Sequence, residues 1–310
     1  SHLLCEVTLM KFALAVDIGG TKATVASVDS AFNILQRREI STGSAPDLEI
    51  ALGQACDEVL QSTPGDLIGV GIGSAGPLNL QEGTISPVNI PSWRPFNVVD
   101  FFKAKTGSSP VTLHGDGMAV ADAEHQLGAG RGSRNMLGMV VSTGVGGGLI
   151  LNGNLIAGHS GNVSFFGHHA INHTGITCVC GRVGCVEAYA SGPSMVRRAE
   201  ERGWVSEGRD FIALAEAARN GDPIALKAID EGAHALAVAI INVAAINDLD
   251  LVVIGGGVSH AGDIYWEPLM RHIAKETANI SFLQNLKIKK AELLRDSGLL
   301  GAALGVMRPQ

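Results

Sequence analysis

The sequence predicts an α/β protein built as two related lobes, and two observations carry that prediction. A short apolar run at 12–16 leads through Asp17-Ile-Gly-Gly-Thr-Lys22 into a second run at 23–28, which reads as strand, Gly turn and strand. The same layout returns in the second half, where 136–142 and 149–151 bracket Thr143-Gly-Val-Gly-Gly-Gly148. One such unit per half fits two α/β lobes better than one doubly wound sheet.

The remaining elements follow in order. Residues 48–62 have helical periodicity, and LIGVGI at 67–72 reads as a buried strand that ends in Gly73-Ser-Ala-Gly-Pro77. A short strand is expected at 110–114 and the start of a helix at 119–127, with a hinge at the break over 114–117. From 191 to 247 the pattern is helical, Ala-rich and poor in breakers. A strand at 251–254 runs into Gly255-Gly-Gly257, a helix follows over 266–278, and a Gly/Ala-rich helix occupies 297–307. The expected division is a small N-terminal α/β lobe at 1–116, completed by the C-terminal helix 297–310, and a large α/β lobe at 117–296.

At 310 residues, with 46% hydrophobic and 17% charged residues, the chain has the profile of a well-buried globular protein. A net charge of −7 without a basic patch argues against nucleic acid as a partner. The longest apolar helix-like run, 235–246, is shorter than the ~20 residues a bilayer crossing needs, so no membrane partner is expected. Residues 1–10 have neither a basic stretch nor a small-residue cleavage site and read as a ragged start ahead of Met10.

Residues 167–192 read GHHAINHTGITCVCGRVGCVEAYASG. His168, Cys178, Cys180 and Cys185 form a Cys₃His set, the ligand chemistry of a closed tetrahedral zinc site. A loop this rich in Gly cannot hold its shape by apolar burial, so a metal would act as its staple. The alternative is that the cysteines are small buried apolar residues. A disulfide is disfavoured, because linking the neighbours of a Cys-x-Cys pair strains the backbone. Metal-bound thiols need a reducing compartment, so a cytoplasmic protein is expected. Cys5 and Cys56 have no evident partner, and His159, His169 and His173 read as polar loop residues.

The Gly turns carry the second chemistry. Gly19 and Gly20 let the backbone approach an anion, the Thr21 hydroxyl and neighbouring amides can donate to phosphate oxygens, and Asp17 can hold hydrated Mg²⁺. Alone this is a weak signal, because a Gly-Gly turn between two strands often has no function. The chain lacks the G-x-x-x-x-G-K-[ST] loop, and no G-x-G-x-x-G heads a βαβ unit.

CVCGRVGCVEAYASG, with a Gly-His ahead of it, resembles the signature of the ROK family of sugar kinases and sugar-responsive repressors. The resemblance includes all four candidate zinc ligands and Glu187, and it extends over nearly the whole chain. It implies the two-lobed fold of sugar kinases, actin and heat-shock ATPases, with an interlobe cleft. By the same resemblance, Asp17, Gly19, Gly20, Thr21 and Lys22 lie on one side of ATP and its Mg²⁺, Thr143, Gly144 and Gly146 on the other, and Gly256 and Gly257 near adenosine. The family's catalytic base falls on Asp116, which is also a favoured helix N-cap type. Sugar contacts fall on Asn89, His168 and Glu187, with one nitrogen of His168 on a structural zinc and the other aimed at the sugar. Asp122 and Glu124 read as solvated helix positions. A homodimer, or a dimer of dimers, is implied as well.

Two departures bear on the substrate. The Asn that precedes the base in the family is Gly115 here, and the sugar-binding Glu three residues before the zinc-ligating His is Phe165. Some bacterial N-acetylmannosamine kinases also lack that Glu. An aromatic ring cannot accept a hydroxyl proton but packs against an acetamido methyl or a sugar's apolar face. The expected activity is therefore ATP-dependent phosphorylation of the 6-hydroxyl of a hexose or N-acylhexosamine, N-acetylmannosamine favoured and glucose next. The alternative is a sugar-sensing or sugar-binding protein without efficient catalysis. Family repressors carry a helix-turn-helix arm ahead of the first Gly turn, and the 16 residues before Asp17 are not basic, which favours the kinase.

Overall fold

The computed structural model describes residues 10–308 except 44–46, 89 and 164. The readings of Cys5 and of the chain start before Met10 fall outside the described residues. The described residues divide into two compact units, one within 10–119, 157–162 and 295–308, the other within 120–156 and 163–294.

In the first unit β1 (Lys11–Ile18) and β2 (Lys22–Asp29) form the expected antiparallel hairpin, and β3 (Ile34–Ser41) extends it. After α1 (Leu48–Ser62), β4 (Asp66–Ser74) returns parallel to β1. A small hairpin of β5 (Leu78–Asn79) and β6 (Thr84–Ile85) and helix α2 (Val98–Lys105) lead to β7 (Val111–Gly115), parallel to β4. The sheet order is β3-β2-β1-β4-β7. Helix α3 (Asp116–Leu127) follows β7 directly and begins three residues before the expected helix.

In the second unit β8 (Met136–Val141) and β9 (Val145–Leu151) form a hairpin, with β10 (Asn154–Leu155) at its edge. Helices α4 (Glu187–Ala190), α5 (Gly192–Glu200), α6 (Phe211–Arg219) and α7 (Pro223–Asn247) precede β11 (Leu251–Gly255). Helix α8 (Asp263–Thr277) and strand β12 (Lys287–Lys290) complete the unit. The order β10-β9-β8-β11-β12 repeats that of the first sheet, a hairpin-led meander followed by two parallel strands. Helix α9 (Ser297–Met307) belongs to the first unit.

Small residues explain how α9 docks. Alternation along β4 sends Val70 and Ile72 into the core shared with α1 and α2, and Gly69, Gly71 and Gly73 to the opposite face. A methyl on Gly71 would lie 1.7 Å from the Ala302 carbonyl of α9, so strand and helix meet backbone to backbone. In the second unit Gly138 of β8 plays the same part, since a methyl there would lie 2.6 Å from Ala121 of α3.

Three expectations are corrected. Gly146 to Gly148 are strand residues of β9 rather than turn residues, and the turn shrinks to 142–144. The reason is proximity: a methyl on Gly147 would lie 2.6 Å from the Gly138 carbonyl across the ladder. Asp122 and Glu124 are buried, not solvated, at 2% and 1% exposure. Glu124 accepts N–H donors from Ala129, Glu292 and Leu293, a backbone cage that can hold a carboxylate away from water. Finally, the apolar run taken as 235–246 is part of a 25-residue helix, α7, long and apolar enough by length and composition to cross a membrane. Asp222 caps it by accepting from Ile224 and Ala225 N–H, and Pro223 fits its first turn. Ala225, Ala228, Leu236 and Ile240 of α7 lie in the hydrophobic core of the second unit, so it is accounted for as a core helix.

Candidate active site

In the first unit the parallel strands β1, β4 and β7 end at one edge of the sheet. Asp17 is opposite Gly73, which is opposite His114; Ile18, Ser74 and Gly115 form the next row. Asp116, the first residue of α3, follows directly, and its Oδ1 accepts the Gly117 N–H at 2.7 Å. Catalytic groups gather at such strand ends because loops and helix N-termini diverge there and leave room for a ligand.

The electrostatics of this edge are those of two acids crowded by protein. Burial raises Asp17 to about 7, and the Asp116 charge adds to this while Lys22 and Arg37 oppose it. Asp116 is accessible to solvent, yet desolvation by surrounding protein raises its carboxyl above the ordinary range, with the Gly117 N–H working in the opposite direction. Room for the Asp17 carboxylate depends on Gly298 at the start of α9, where a methyl would lie 2.5 Å from Oδ2. Sequence reasoning missed Gly298; its only signal is a Gly in the first turn of a small-residue helix.

Asp17 gives a pH-dependent prediction. A carboxyl raised from 3.8 to about 7 on folding holds its proton more tightly in the native state. Its stabilising contribution is complete below about pH 4 and is lost as pH rises through 7. Asp17→Asn, neutral throughout, is expected to gain stability over the parent by about 1–3 kcal/mol between pH 5 and pH 8. Denaturant unfolding of both proteins without Mg²⁺ at the two pH values checks this; a difference that does not change with pH would contradict it.

The hairpin turn after Asp17 is tight. Gly19 N–H donates to the Lys22 carbonyl at 2.9 Å, and Thr42 donates its N–H to the Thr21 carbonyl and its hydroxyl to that of Gly20. With the carbonyls so used, the turn's amides are the groups that could face an anion. Lys22 pairs with Glu39 at 2.7 Å on the surface.

In the second unit the 142–144 turn is closed by Ser142 N–H donating to the Gly144 carbonyl at 2.9 Å. Gly256, at φ 90°, lies against the end of neighbouring β8, where a side chain would meet the Val141 carbonyl at 2.4 Å. Gly257 is beside Ser142, so Thr143, Gly144, Gly256 and Gly257 gather at one edge of this sheet. Gly146 lies one residue into β9.

The Cys₃His set converges. One ligand atom from each of His168, Cys178, Cys180 and Cys185 lies within 4.8 Å of all the others. Cys178 Sγ is 3.7 Å from His168 Nδ1, and Cys180 Sγ is 3.6 Å from Cys185 Sγ. A tetrahedron with Zn–S bonds of 2.3 Å has edges of about 3.8 Å, so the set fits zinc. All three cysteines are free thiols. Backbone shapes the loop: Cys178 N–H donates to the Arg182 carbonyl, Gly181 N–H to that of Cys178, and Gly184 adopts φ 80° where a side chain would strike Asn172. Tyr189 holds the loop from below, its hydroxyl accepting the Ile176 N–H at 2.8 Å.

With Nδ1 turned to the thiols, His168 Nε2 faces Glu187 Oε1 at 4.0 Å. Glu187 Oε2 accepts the Val145 N–H at 2.9 Å, an anchor that the sequence did not disclose. The Phe165 ring is 5.9 Å from that of His168 and half-exposed, so aromatic, imidazole and carboxylate share one surface. Gly115 is buried at the end of β7, and Asn89 lies outside the described residues. Among the other histidines, His169 Nδ1 contacts the Phe166 carbonyl at 2.7 Å and takes no part in the Cys₃His set.

The ROK family model matches residues 13–308. A glucokinase of Streptomyces coelicolor is 31% identical over 314 residues, covering 95% of this chain and 97% of that protein. An N-acetylmannosamine kinase of Yersinia pestis is 34% identical over 296 residues, covering 94% and 97%. Among solved structures, a ROK family glucokinase from Streptomyces griseus in complex with glucose and AMPPNP superposes with a TM-score of 0.80 at 30% identity, covering 94% of this chain and 98% of that one.

Proposed function

The chain belongs to the ROK family, with the fold of its sugar kinases, and from that premise we propose that it is an ATP-dependent sugar kinase acting on the 6-hydroxyl of a hexose or N-acylhexosamine. The observation that carries the reading is the pairing of Asp116 and Asp17 on one strand-end edge, an acid pair suited to accept a proton and to hold a cation.

In this reading the sugar's 6-oxygen attacks the γ-phosphorus of ATP, ADP leaves, and the hydroxyl proton passes to Asp116. Bound Mg²⁺ would neutralise phosphate charge, and Asp17 is the residue that would hold it. The turn at 19–21 in the first unit and the turn at 142–144 in the second would each offer amides and hydroxyls to phosphate oxygens, and in the second unit Gly256 and Gly257 would leave room for adenosine. His168 and Glu187 bind sugar hydroxyls; His168, Cys178, Cys180 and Cys185 would hold a zinc ion, which with four protein ligands would serve a structural role. With Nδ1 given to such a metal, His168 would be held in the tautomer that presents Nε2–H to the sugar. Free thiols fit a reducing compartment.

For the substrate we favour N-acetylmannosamine, with glucose next. Phe165 supports this choice: its ring lies beside His168, in the place of a hydroxyl-binding Glu, and offers apolar surface to an acetamido methyl. Gly115 removes a second polar contact. A site built around hydroxyls penalises lost partners heavily, so glucose should suffer more than an N-acyl sugar. Side-by-side kcat/KM values for glucose, mannose, N-acetylglucosamine and N-acetylmannosamine test it. N-acetylmannosamine is expected to lead; glucose ahead by about tenfold, roughly 1.4 kcal/mol, would show the assignment of Phe165 to be wrong.

A further inference from the structure

Glu187 makes contacts in two directions. Its Oε1 faces His168 Nε2 at 4.0 Å, on the surface that also carries Phe165. Its other oxygen, Oε2, accepts the N–H of Val145 at 2.9 Å where the 142–144 turn enters β9. A methyl on Gly144 would lie 2.7 Å from the same Oε2 and would displace it. The turn has little slack: Ser142 N–H closes it on the Gly144 carbonyl, and Gly192 N–H at the start of α5 ties down the Ser142 carbonyl. A carboxylate is planar and rigid, so turning one oxygen toward a ligand turns the other with it.

We propose that Glu187 is a positioning residue that couples the sugar to the nucleotide: engaging a sugar through Oε1 locks Oε2 on Val145 and holds the 142–144 turn in its phosphate-receiving form. This rests on the kinase reading above for what the turn and the His168 surface bind. The coupling is reciprocal, so nucleotide on the turn tightens sugar binding by the same factor. His168 makes the zinc loop part of the linkage, since the nitrogen opposite Nε2 is the one turned toward Cys178.

The test is calorimetric titration of the zinc-loaded full chain with N-acetylmannosamine, without and with saturating AMPPNP, and the converse pair. Each ligand is expected to tighten the other by about fivefold or more. Glu187→Asp withdraws the carboxylate from Val145 by one methylene, and Gly144→Ala pushes Oε2 away without touching the sugar; each should bring the factor to about one. Glu187→Gln keeps a carbonyl acceptor for the Val145 N–H and should retain most of the coupling. Zinc content and Tm are followed in every variant, because a merely structural role would change those and leave the ratio of affinities intact. A factor near one in the parent, or an undiminished factor in Gly144→Ala, would overturn the proposal. Failure of the parent to bind any of the four sugars would instead overturn the kinase reading on which it rests.

Discussion

Asp116→Asn is expected to lower kcat by about 10²–10⁴ while the affinities for sugar and nucleotide stay within a few-fold of the parent's. The substitution preserves shape and the ability to accept the Gly117 N–H while removing the carboxylate proposed as the proton acceptor. The size of the effect follows from where Asp116 lies. At the junction of β7 and α3 it is accessible to a ligand, yet enough protein surrounds it to raise its carboxyl and make it a stronger base than a free aspartate. The variant also removes the charge that helps to hold Asp17 near 7, so the Asp17 carboxyl should fall toward the ordinary range. Steady-state kinetics paired with direct binding measurements separate the two effects. A variant with near-parental kcat would reduce Asp116 to a helix-terminal residue.

Cys180→Ser is expected to cost about 3 kcal/mol or more, seen as a fall in Tm of ~6–12 °C, and to weaken sugar binding with it. Cys180 is exposed, so the serine disturbs little packing and the loss reports the metal. Among the described residues the buried cluster here is Cys178, Cys185 and Ala188, with Ile176 and Tyr189 packed against it, too small to hold a loop of this length. In the proposed reading the coupling to sugar would come through His168, whose Nδ1 faces Cys178 and whose Nε2 faces Glu187. About one zinc per chain is expected in the parent. Metal-free protein with a disulfide among these thiols would contradict the assignment.

Much of this was legible in the sequence, for physical reasons. The β1–β2 hairpin, β4, β11 and α9 announce themselves through apolar runs closed by Gly, and the Cys₃His spacing needs only the ligand chemistry of zinc. What escaped depends on contacts distant in sequence. Strand β3 (ILQRREIS) has the polar face of a strand paired on one side only, and nothing local marks it. Glu124 reads as solvated until the backbone at 292–293 arrives to donate to it. Gly146 to Gly148 look like a turn because nothing local reveals that the β8 backbone lies close against β9. Helix α7 lies inside the stretch read as helical, and only its apolar run was cut short at 235, because Lys227, Asp230 and Glu231 interrupt the apolar pattern of its first half. In the site the residue types were readable, but the two directions of Glu187 and the room Gly298 leaves for Asp17 exist only in the folded chain.

The measurement that bears most directly on the central claim is product analysis after incubation of the zinc-loaded protein with Mg-ATP and each of the four sugars. Phosphorus NMR is expected to show a sugar 6-phosphate ester forming in step with ADP, fastest with N-acetylmannosamine and abolished by Asp116→Asn. Sugar and AMPPNP binding without any ester, in protein that carries its zinc, would contradict the account and leave a sugar-binding protein of the same fold.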